Sequence, residues 1–425
     1  MNIFIIALGT RGDIQPYVAL GVGLKKAGHQ VTICSTSNFR SFVTEYGLLF
    51  DQTRDEILEL MNTDEGKAVF DGDQSTWKKI KLYAKLAKMS DAVQMHMLED
   101  TWRAAEKAKP DVILYHPKGY GGPHIAEKIG VPIIMAVVVP GVVPTSEFPA
   151  IMFPEWKLGG WYNRFTSKLF MKLGALGFGK YVKRWRKANG LPALRRSVSL
   201  VNLPSGAPIP VMHGLSQHVI PFPHDWPDHT TMTGYWFLDQ PEAWQPPAPL
   251  VDFLNSGAPP VYIGFGSMSG TKTARVSRIV VEAVQKAKLR AILAKGWGGL
   301  EAKDLPDSIY QIEAAPHDWL FPKMAGVVHH GGAGTTAAGL RAGKPSLICP
   351  FIVDQPFWGR RVQALGAGPT PIHQKDLAVD NLASALRDLV DSAQYRRKAE
   401  VIGEKLRQED FMGPSLAFIE RHAKR

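Results

Sequence analysis

The residues best suited to chemistry lie in one glycine-rich string, residues 327–338, which reads Val-Val-His-His-Gly-Gly-Ala-Gly-Thr-Thr-Ala-Ala. An apolar strand is followed by a turn of small residues and then by an alanine-rich helix. The free backbone N–H groups and the positive end of that helix face whatever lies above the turn. His330, Thr335 and Thr336 add side-chain donors. The string predicts an anion site, most often for phosphate; the alternative is an ordinary strand–helix turn capped by His330.

Two other nucleotide-binding patterns are missing. Residues 9–13, after the first apolar run, read Gly-Thr-Arg-Gly-Asp, which is not the dinucleotide fingerprint G-x-G-x-x-G. The second run ends at residues 34–36 in Cys-Ser-Thr, without an acidic residue for an adenosine ribose. The P-loop string is missing as well. These observations argue against a nicotinamide dehydrogenase and exclude the P-loop ATPases and kinases.

Apolar runs that alternate with helical periodicity predict the elements that position these residues. Buried parallel strands are predicted at residues 2–8, 30–35, 111–116 and 132–139, with a first helix from about residue 16 to residue 27. After a proline-rich stretch at residues 221–260, with one short strand near residues 233–237, the alternation restarts at residues 261–265, 290–294, 309–313, 327–330 and 346–349. Two doubly wound α/β domains are expected, with the carboxyl ends of both sheets around one cleft.

The net charge of +11 on 425 residues arises in one segment. Residues 156–224 hold eleven cations and no acidic residue, which leaves 39 basic and 39 acidic residues elsewhere. Large apolar residues are interleaved with these cations, as in a helix that meets an anionic membrane surface. The alternative is a solvated basic face over packed aromatics. Because no base-reading motif accompanies the cations, nucleic acid is not an expected partner.

The chain is 45% hydrophobic and 21% charged, and this composition, with its length, predicts a globular protein with two or three domains. Its low cysteine content predicts a cytoplasmic location. Cys34 and Cys349 lie far apart in apolar runs, which predicts neither a disulfide framework nor a zinc site. The apolar start has no basic region and is ended by Arg11 and Asp13, so we expect a buried strand rather than a signal peptide. The run at residues 131–144 is too short to span a bilayer.

Several strings together resemble the GT-B glycosyltransferases of the UDP-glycosyltransferase superfamily. They are residues 9–16 (Gly-Thr-Arg-Gly-Asp-Ile-Gln-Pro), 264–268 (Gly-Phe-Gly-Ser-Met) and 316–366 around the glycine-rich string. Residues 116–118 (His-Pro-Lys), 122–128 and 233–236 (Thr-Gly-Tyr-Trp) are similar to the sterol 3-beta-glucosyltransferase group and to related bacterial natural-product enzymes. The resemblance covers nearly the whole chain and is least specific for the acceptor.

The resemblance implies a GT-B fold, in which two Rossmann-like, doubly wound parallel-sheet domains face each other across a cleft. Residues 1–235 would bind the acceptor, and residues 236–259 would be a proline-rich linker. Residues 260–405 would bind a nucleotide sugar, and the last helix, residues 406–425, would pack back on the N-terminal domain.

The implied reaction is an inverting, metal-independent transfer of a hexose, expected to be glucose from UDP-glucose, onto a lipophilic alcohol, expected to be the 3-beta-hydroxyl of a sterol. No cofactor is implied, and a dTDP-sugar is an alternative donor. Asp13 is the implied general base; it could also cap the first helix. Gly12, His116 and His124 are further acceptor-side candidates.

On the donor side, Ser267, His330 and residues Gly332, Ala333, Gly334 and Thr335 are implied to bind the diphosphate. Asp354 and Gln355 match the pair that holds the sugar hydroxyls, because together they accept and donate hydrogen bonds.

The nucleobase contacts are the least defined part of the donor site. Pro316 and His317 are candidates, and Trp297 is either a stacking platform or a packed loop aromatic. Ala314 and Ala338 stand where plant relatives have a stacking tryptophan and a ribose-binding glutamate, so the choice between UDP and dTDP stays open.

Two alternative functions and one alternative metal site accompany this interpretation. The acceptor could be a macrolide, polyphenol or other natural-product aglycone. The chain could be a non-catalytic nucleotide-sugar-binding protein, against which an intact Asp13 argues. The DxD string at residues 71–73 follows no predicted strand, so it is interpreted as a surface turn rather than as a metal site.

Overall fold

A computed structural model describes residues 1–63, 76–194, 198–239, 244–265, 273–295 and 305–424. Ser267, Trp297 and the DxD string at residues 71–73 lie outside these ranges. The chain forms two compact units. The first comprises Met1–Gln217, Pro221–Leu238 and Asp410–Arg425, and the second comprises His218–Ile220 and Asp239–Glu409.

The first unit is built on a seven-stranded parallel sheet. Its strands are β1 (Asn2–Ile6), β2 (Gln30–Thr36), β3 (Leu49–Thr53), β4 (Val112–Tyr115), β5 (Ile133–Val137), β6 (Val211–His213) and β7 (Thr230–Met232). Their order is β3-β2-β1-β4-β5-β6-β7. Every residue of β4 and β5 is buried, as expected of strands covered on both faces. The direction of winding reverses between β1 and β4, where doubly wound sheets bind ligands.

The helices of the first unit include α1 (Arg11–Lys26), α2 (Arg40–Glu45), α3 (Glu56–Asn62), α4 (Thr76–Ala108), α5 (Gly122–Ile129) and α6 (Gly160–Ala188). The predicted start of α1 at residue 16 is wrong, because the helix already begins at Arg11. The prediction relied on helical periodicity. Instead, the Asp13 carboxylate accepts the backbone N–H of Thr10 at 2.7 Å, which caps the helix one turn earlier.

The second unit has a five-stranded parallel sheet in the order β10-β9-β8-β11-β12. Its strands are β8 (Val261–Gly264), β9 (Ala291–Ala294), β10 (Ile309–Ile312), β11 (Gly326–His329) and β12 (Ser346–Ile348). The helices are α7 (Ala248–Asn255), α8 (Thr273–Ala287), α9 (His317–Leu320), α10 (Ala333–Arg341), α11 (Gln355–Ala364), α12 (Val379–Asp391) and α13 (Ala393–Gln408). The predicted fold class, two Rossmann-like parallel-sheet domains, is confirmed.

The proline-rich stretch is more structured than its composition predicts. The strand expected near residues 233–237 is wrong, because β7 ends at Met232 and Gly234 has a φ of +90°. Helix α7 forms inside the stretch, and Pro249 lies in its first turn. Proline is tolerated there because the N–H groups of the first turn have no acceptor within the helix.

The last helix, α14 (Met412–Ala423), belongs to the first unit. Phe418 and Ile419 are buried in the same core cluster as Tyr17 of α1. A β-carbon at Gly23 of α1 would overlap the Met412 side chain, so α1 and α14 are in close contact here.

The described helices were also compared with the length and hydropathy of membrane spans. Within the ranges given above, none is both long enough and apolar enough to cross a bilayer.

Candidate active site

Asp13 and His116 meet at the switch point of the first sheet. Asp13 lies in the first turn of α1, just after β1, and His116 directly follows β4. Strands β1 and β4 are paired in parallel, with Ile6 opposite Tyr115, so both following residues emerge at the same edge. The fold therefore joins two candidates that lie far apart in the sequence.

The Asp13 carboxylate is held by four donors. Its Oδ2 atom accepts from the Thr10 N–H at 2.7 Å, from the Thr10 hydroxyl at 3.0 Å and from the Lys118 ammonium at 2.7 Å. Its Oδ1 atom lies 3.3 Å from His116 Nε2. The side chain is 18% exposed. Since a carboxylate oxygen has about two lone-pair sites, Oδ1 is the atom that retains capacity for a substrate hydroxyl.

His116 orients Asp13 and is not itself free to take a proton. Its Nδ1 accepts the backbone N–H of Lys118 at 3.0 Å, so the ring proton lies on Nε2 and points to Asp13. Burial lowers the pKa of His116, although its hydrogen bond to Asp13 opposes that effect. The ring is therefore neutral near pH 7, and both nitrogens are engaged.

Asp13 is ionised across the neutral range. Burial by itself raises the pKa of Asp13, but the hydrogen bond with His116 and the positive charge of Lys118 outweigh it, and the pKa is held well below its usual range. The carboxylate is thus always in the form that can accept a proton.

Sequence reasoning missed two residues of this cluster, Lys118 and Gly9. Lys118 ends the His-Pro-Lys string at residues 116–118, and its place two residues after His116 is the signal that could have found it. Gly9 has a φ of +137°, and a β-carbon there would overlap Asp13 Oδ2 and lie 2.8 Å from Lys118 Nζ. The candidate Gly12 is exposed in the first turn of α1.

His124, the third acceptor-side candidate, has a different partner. It is buried in α5, with Nδ1 3.1 Å from an Arg186 nitrogen of α6. Arg186 also forms an ion pair with Glu127 and donates to the Pro192 carbonyl at 2.7 Å. Burial, together with the charge of Arg186, lowers the pKa of His124 to about 4. This cluster ties α6 to α5 and has a structural role.

In the second unit, the glycine-rich string forms the predicted strand–turn–helix. Strand β11 ends at His329, Gly331 has a φ of +95°, and Gly332 is the N-cap of α10. The N–H groups of Ala333, Gly334 and Thr335 belong to the first turn, which has no helical acceptors for them. The Thr336 hydroxyl instead donates to the Gly332 carbonyl at 2.9 Å, so Thr335 is the threonine left to face a ligand.

His330 is a neutral donor beside this turn. Its Nδ1 is buried and has no hydrogen-bond partner among the described residues. Burial lowers the pKa of His330 to about 4. The neighbouring His329 accepts the Gly331 N–H on Nδ1 at 3.0 Å, which holds the turn in shape. The predicted anion site therefore combines helix N–H groups with an uncharged imidazole.

The pair Asp354–Gln355 lies next to the glycine-rich turn. Both residues follow β12, the neighbour of β11. A β-carbon at Gly331 would stand only 3.0 Å from the Gln355 carbonyl oxygen, so the two strings touch. Gln355 Oε1 accepts the Phe351 N–H at 2.7 Å, and Asp354 Oδ2 accepts the Trp358 indole N–H at 3.0 Å. These bonds orient both side chains.

The nucleobase candidates Pro316 and His317 lie at the start of α9, after β10. The His317 ring stacks on Phe321 with centroids 4.2 Å apart and meets the edge of Tyr262. The ring is thus part of the packing between α9 and β8. No cluster of three metal-ligating side chains occurs in the described part of the chain.

Known proteins match this chain in both of its units. Residues 3–146 match the glycosyltransferase family 28 N-terminal domain, and residues 292–418 match the erythromycin biosynthesis protein CIII-like C-terminal domain. Sterol 3-beta-glucosyltransferase UGT80A2 of Arabidopsis thaliana is 34% identical over 99% of this chain. A sterol 3-beta-glucosyltransferase of Debaryomyces hansenii is 36% identical over 96% of it. The chain spans 66% of the plant protein's length and 26% of the yeast protein's length.

Solved structures with the same fold cover nearly the whole chain. The glycosyltransferase of kitacinnamycin has a TM-score of 0.70 at 20% identity, covering 99% of this chain and 98% of its own. The glycosyltransferase VinC, solved in complex with dTDP, has a TM-score of 0.67 at 19% identity and full coverage of both chains. The chain therefore has the GT-B fold, with a glycosyltransferase family 28 N-terminal domain at residues 3–146 and an erythromycin biosynthesis protein CIII-like C-terminal domain at residues 292–418.

Proposed function

We propose that this protein is an inverting glycosyltransferase that moves glucose from UDP-glucose onto the 3-beta-hydroxyl of a sterol, without a metal or other cofactor. The observation that carries the proposal is the ionised Asp13 carboxylate, fixed by His116 and Lys118 at the switch point of the first sheet. The similarity to plant and fungal sterol 3-beta-glucosyltransferases over nearly the full chain supports the choice of substrates.

In the acceptor half, Asp13 serves as the general base. The sterol hydroxyl donates a hydrogen bond to Oδ1, the carboxylate oxygen whose one donor among the described residues is His116. As the hydroxyl oxygen attacks the anomeric carbon, its proton becomes acidic and passes to Asp13. A carboxylate with a low pKa suffices because it receives the proton only when the new C–O bond is well formed.

In the donor half, the glycine-rich turn receives the leaving group. The bond between the anomeric carbon and the diphosphate oxygen breaks with its electron pair on oxygen, and UDP is released. The first-turn N–H groups of α10 and the neutral His330 stabilise that charge. Asp354 and Gln355 hold the sugar hydroxyls, and Ser267 would add a donor to the diphosphate.

The test of this function is Asp13→Asn. Asparagine keeps an oxygen that can cap α1 at Thr10 but cannot accept the proton. We expect UDP to bind within about twofold of wild type, while sterol glucoside formation falls by roughly 10²- to 10⁴-fold. Product mass spectrometry and calorimetry with UDP provide the two measurements. Transfer near the wild-type rate would remove Asp13 from its role as base.

The substrates are tested by a panel of UDP- and dTDP-sugars against sterols, macrolides and flavonoids. UDP-glucose with a sterol should give the largest kcat/KM. A preference for a macrolide or a flavonoid would replace the sterol as acceptor and leave the base assignment intact.

The location follows from the substrates. A sterol is dissolved in a membrane and a nucleotide sugar is in the cytosol, so we propose that the protein is cytoplasmic and peripheral at the membrane. Cell fractionation should then place it in the membrane pellet and release it with salt.

A further inference from the structure

Exposed apolar side chains are concentrated on one part of the first unit. Of the twelve large apolar residues exposed in the described part of the chain, seven lie within residues 152–176. Trp156, Trp161 and Leu176 are the most exposed of them, at 61%, 66% and 67%. Scattered exposed apolar residues are ordinary, whereas a concentration such as this marks a binding surface.

Helix α6 aligns several of these residues with cations. Trp161, Phe165, Lys168, Lys172 and Leu176 follow one another at spacings of three and four residues, so they lie on one exposed stripe, with Leu173 beside it. Trp156 extends the stripe, because its ring stacks on Tyr162 of α6 with centroids 5.7 Å apart. We call these seven exposed side chains, Trp156, Trp161, Phe165, Lys168, Lys172, Leu173 and Leu176, the α6 face.

The opposite side of α6 is the packed side. Met171, Tyr181 and Trp185 are buried in the core of the first unit. The helix is therefore anchored through one side, while the α6 face is free of the core. Some cations of residues 156–224 form ion pairs within the first unit. Arg164 pairs with Asp225, and Arg186 pairs with Glu127.

Lys180 and Arg184 both pair with Asp91, and four other cations of the helix are available to an outside partner. Lys168, Lys172, Lys183 and Lys187 are exposed on α6 and make no ion pair with the described residues. No acidic residue lies anywhere in residues 156–224. Such a surface is complementary to a negatively charged partner.

We propose that the α6 face binds an anionic phospholipid bilayer, with its aromatic and leucine side chains in the headgroup boundary and its lysines on lipid phosphates. Tryptophan, phenylalanine and leucine interleaved with lysine are typical of helices that lie in the membrane interface. A protein partner fits less well, because lysine is depleted in protein interfaces, and here Lys168 and Lys172 lie between Phe165 and Leu176. The inference rests on the proposed function for the presence of a lipid-dissolved acceptor.

The first test is sedimentation of the full chain with vesicles that contain neither sterol nor nucleotide sugar. Vesicles of phosphatidylcholine with 30% phosphatidylglycerol should bind the protein, pure phosphatidylcholine should bind it weakly, and salt should reduce binding. W161A/F165A and K168E/K172E should each weaken binding about 10-fold or more.

Matched controls separate a local effect from a general one. K375E/K405E makes the same change in net charge with exposed lysines of the second unit, and Val401→Ala removes an exposed apolar side chain there. Both should bind vesicles as wild type does. Thermal denaturation confirms that every variant is folded.

Three results would overturn the inference that the α6 face binds a membrane. Binding that ignores anionic lipid and salt, or that K375E/K405E weakens as much as K168E/K172E does, would leave the α6 face a solvated surface. A loss of self-association in W161A/F165A with unchanged vesicle binding would make it a dimer interface.

A second assay distinguishes the membrane from the acceptor site. W161A/F165A should slow transfer to sterol in anionic vesicles but not to sterol delivered by cyclodextrin. Equal slowing of both would place the two aromatics in the acceptor site instead. Asp13→Asn should bind vesicles normally, so a failure of the proposed chemistry and a failure of membrane binding give different results.

Discussion

A β-carbon at Gly9 would occupy the space of the Asp13 carboxylate. Gly9 also has a φ of +137°, a conformation that residues with a side chain rarely adopt. The glycine is thus what allows β1 to turn into α1 with Asp13 folded back over the turn. The position of the proposed base therefore depends on Gly9, which has no side chain of its own.

Gly9→Ala should therefore displace Asp13 and reduce kcat by about 10²-fold, the lower end of the value for losing a general base. Gly28→Ala is the matched control, since Gly28 also has a positive φ, of +87°, but open space around its added β-carbon. That variant should lose about 1 kcal/mol of stability and keep its activity. Equal activity of the two variants would show that Gly9 does not position the base. Steady-state kinetics and thermal denaturation measure both effects.

Lys118 should set the acid limb of the pH–rate profile. Its ammonium, 2.7 Å from Asp13 Oδ2, helps to hold the pKa of Asp13 below its usual range. In Lys118→Met that pKa rises, so the base becomes protonated at a higher pH, and the acid limb of kcat/KM should move to higher pH. The other titratable groups around Asp13 are His116, whose pKa is lowered by burial and by the charge of Lys118, and the buried Tyr17, whose raised pKa keeps it protonated.

Lys118→Arg is the conservative control for this shift. Arginine retains the positive charge, so its profile should match wild type even if its rate is lower. Identical profiles for Lys118→Met and wild type would show that the lysine does not tune the base.

Gly331 should govern donor binding. An added β-carbon would lie 2.7 Å from an Ile348 methyl and 3.0 Å from the Gln355 carbonyl oxygen, which would force apart the glycine-rich turn and the Asp354–Gln355 pair. Gly331→Ala should weaken UDP binding about 10-fold, measured by calorimetry, because the turn's N–H groups lose their alignment.

The control for Gly331 is Gly366→Ala. Gly366 has a φ of +68°, and its added β-carbon would make only an ordinary 3.5 Å contact with Lys398. It should lose stability without losing affinity for UDP. Unchanged UDP binding in Gly331→Ala would separate the turn from the donor site.

Arg186 should contribute to the stability of the first unit and not to its exposed basic surface. It is 3% exposed and bonded to Glu127, His124 and the Pro192 carbonyl. Arg186→Met should destabilise the first unit by about 2 kcal/mol, because Glu127, the buried His124 and the Pro192 carbonyl all lose their donor. Lys187→Met, next to it and exposed, should change stability by less than about 0.5 kcal/mol. Urea unfolding measures both, and similar losses in the two variants would contradict a structural role for Arg186.

The sequence by itself determined most of the strands and the local shape of the donor turn. Continuous apolar runs must be buried on both faces, so β1, β2, β4 and β5 could be predicted within two residues or so. Three strands, β3, β6 and β7, were not predicted in place: β3 carries Asp51 and Gln52 at the sheet edge, and β6 and β7 have only three residues each. The glycine-rich string also kept its predicted form, because a strand, a turn and a helix are set by neighbouring residues.

Only the tertiary structure decided which distant groups act together. Lys118 reaches Asp13 because β1 and β4 are parallel neighbours, and no periodicity shows which strands pair. Likewise, the eleven cations of residues 156–224 form one group in the sequence, but packing of α6 divides them. Arg186 is buried against Glu127, while Lys168 and Lys172 lie on the α6 face. Side-chain burial depends on the surface a helix packs against, which local composition does not specify.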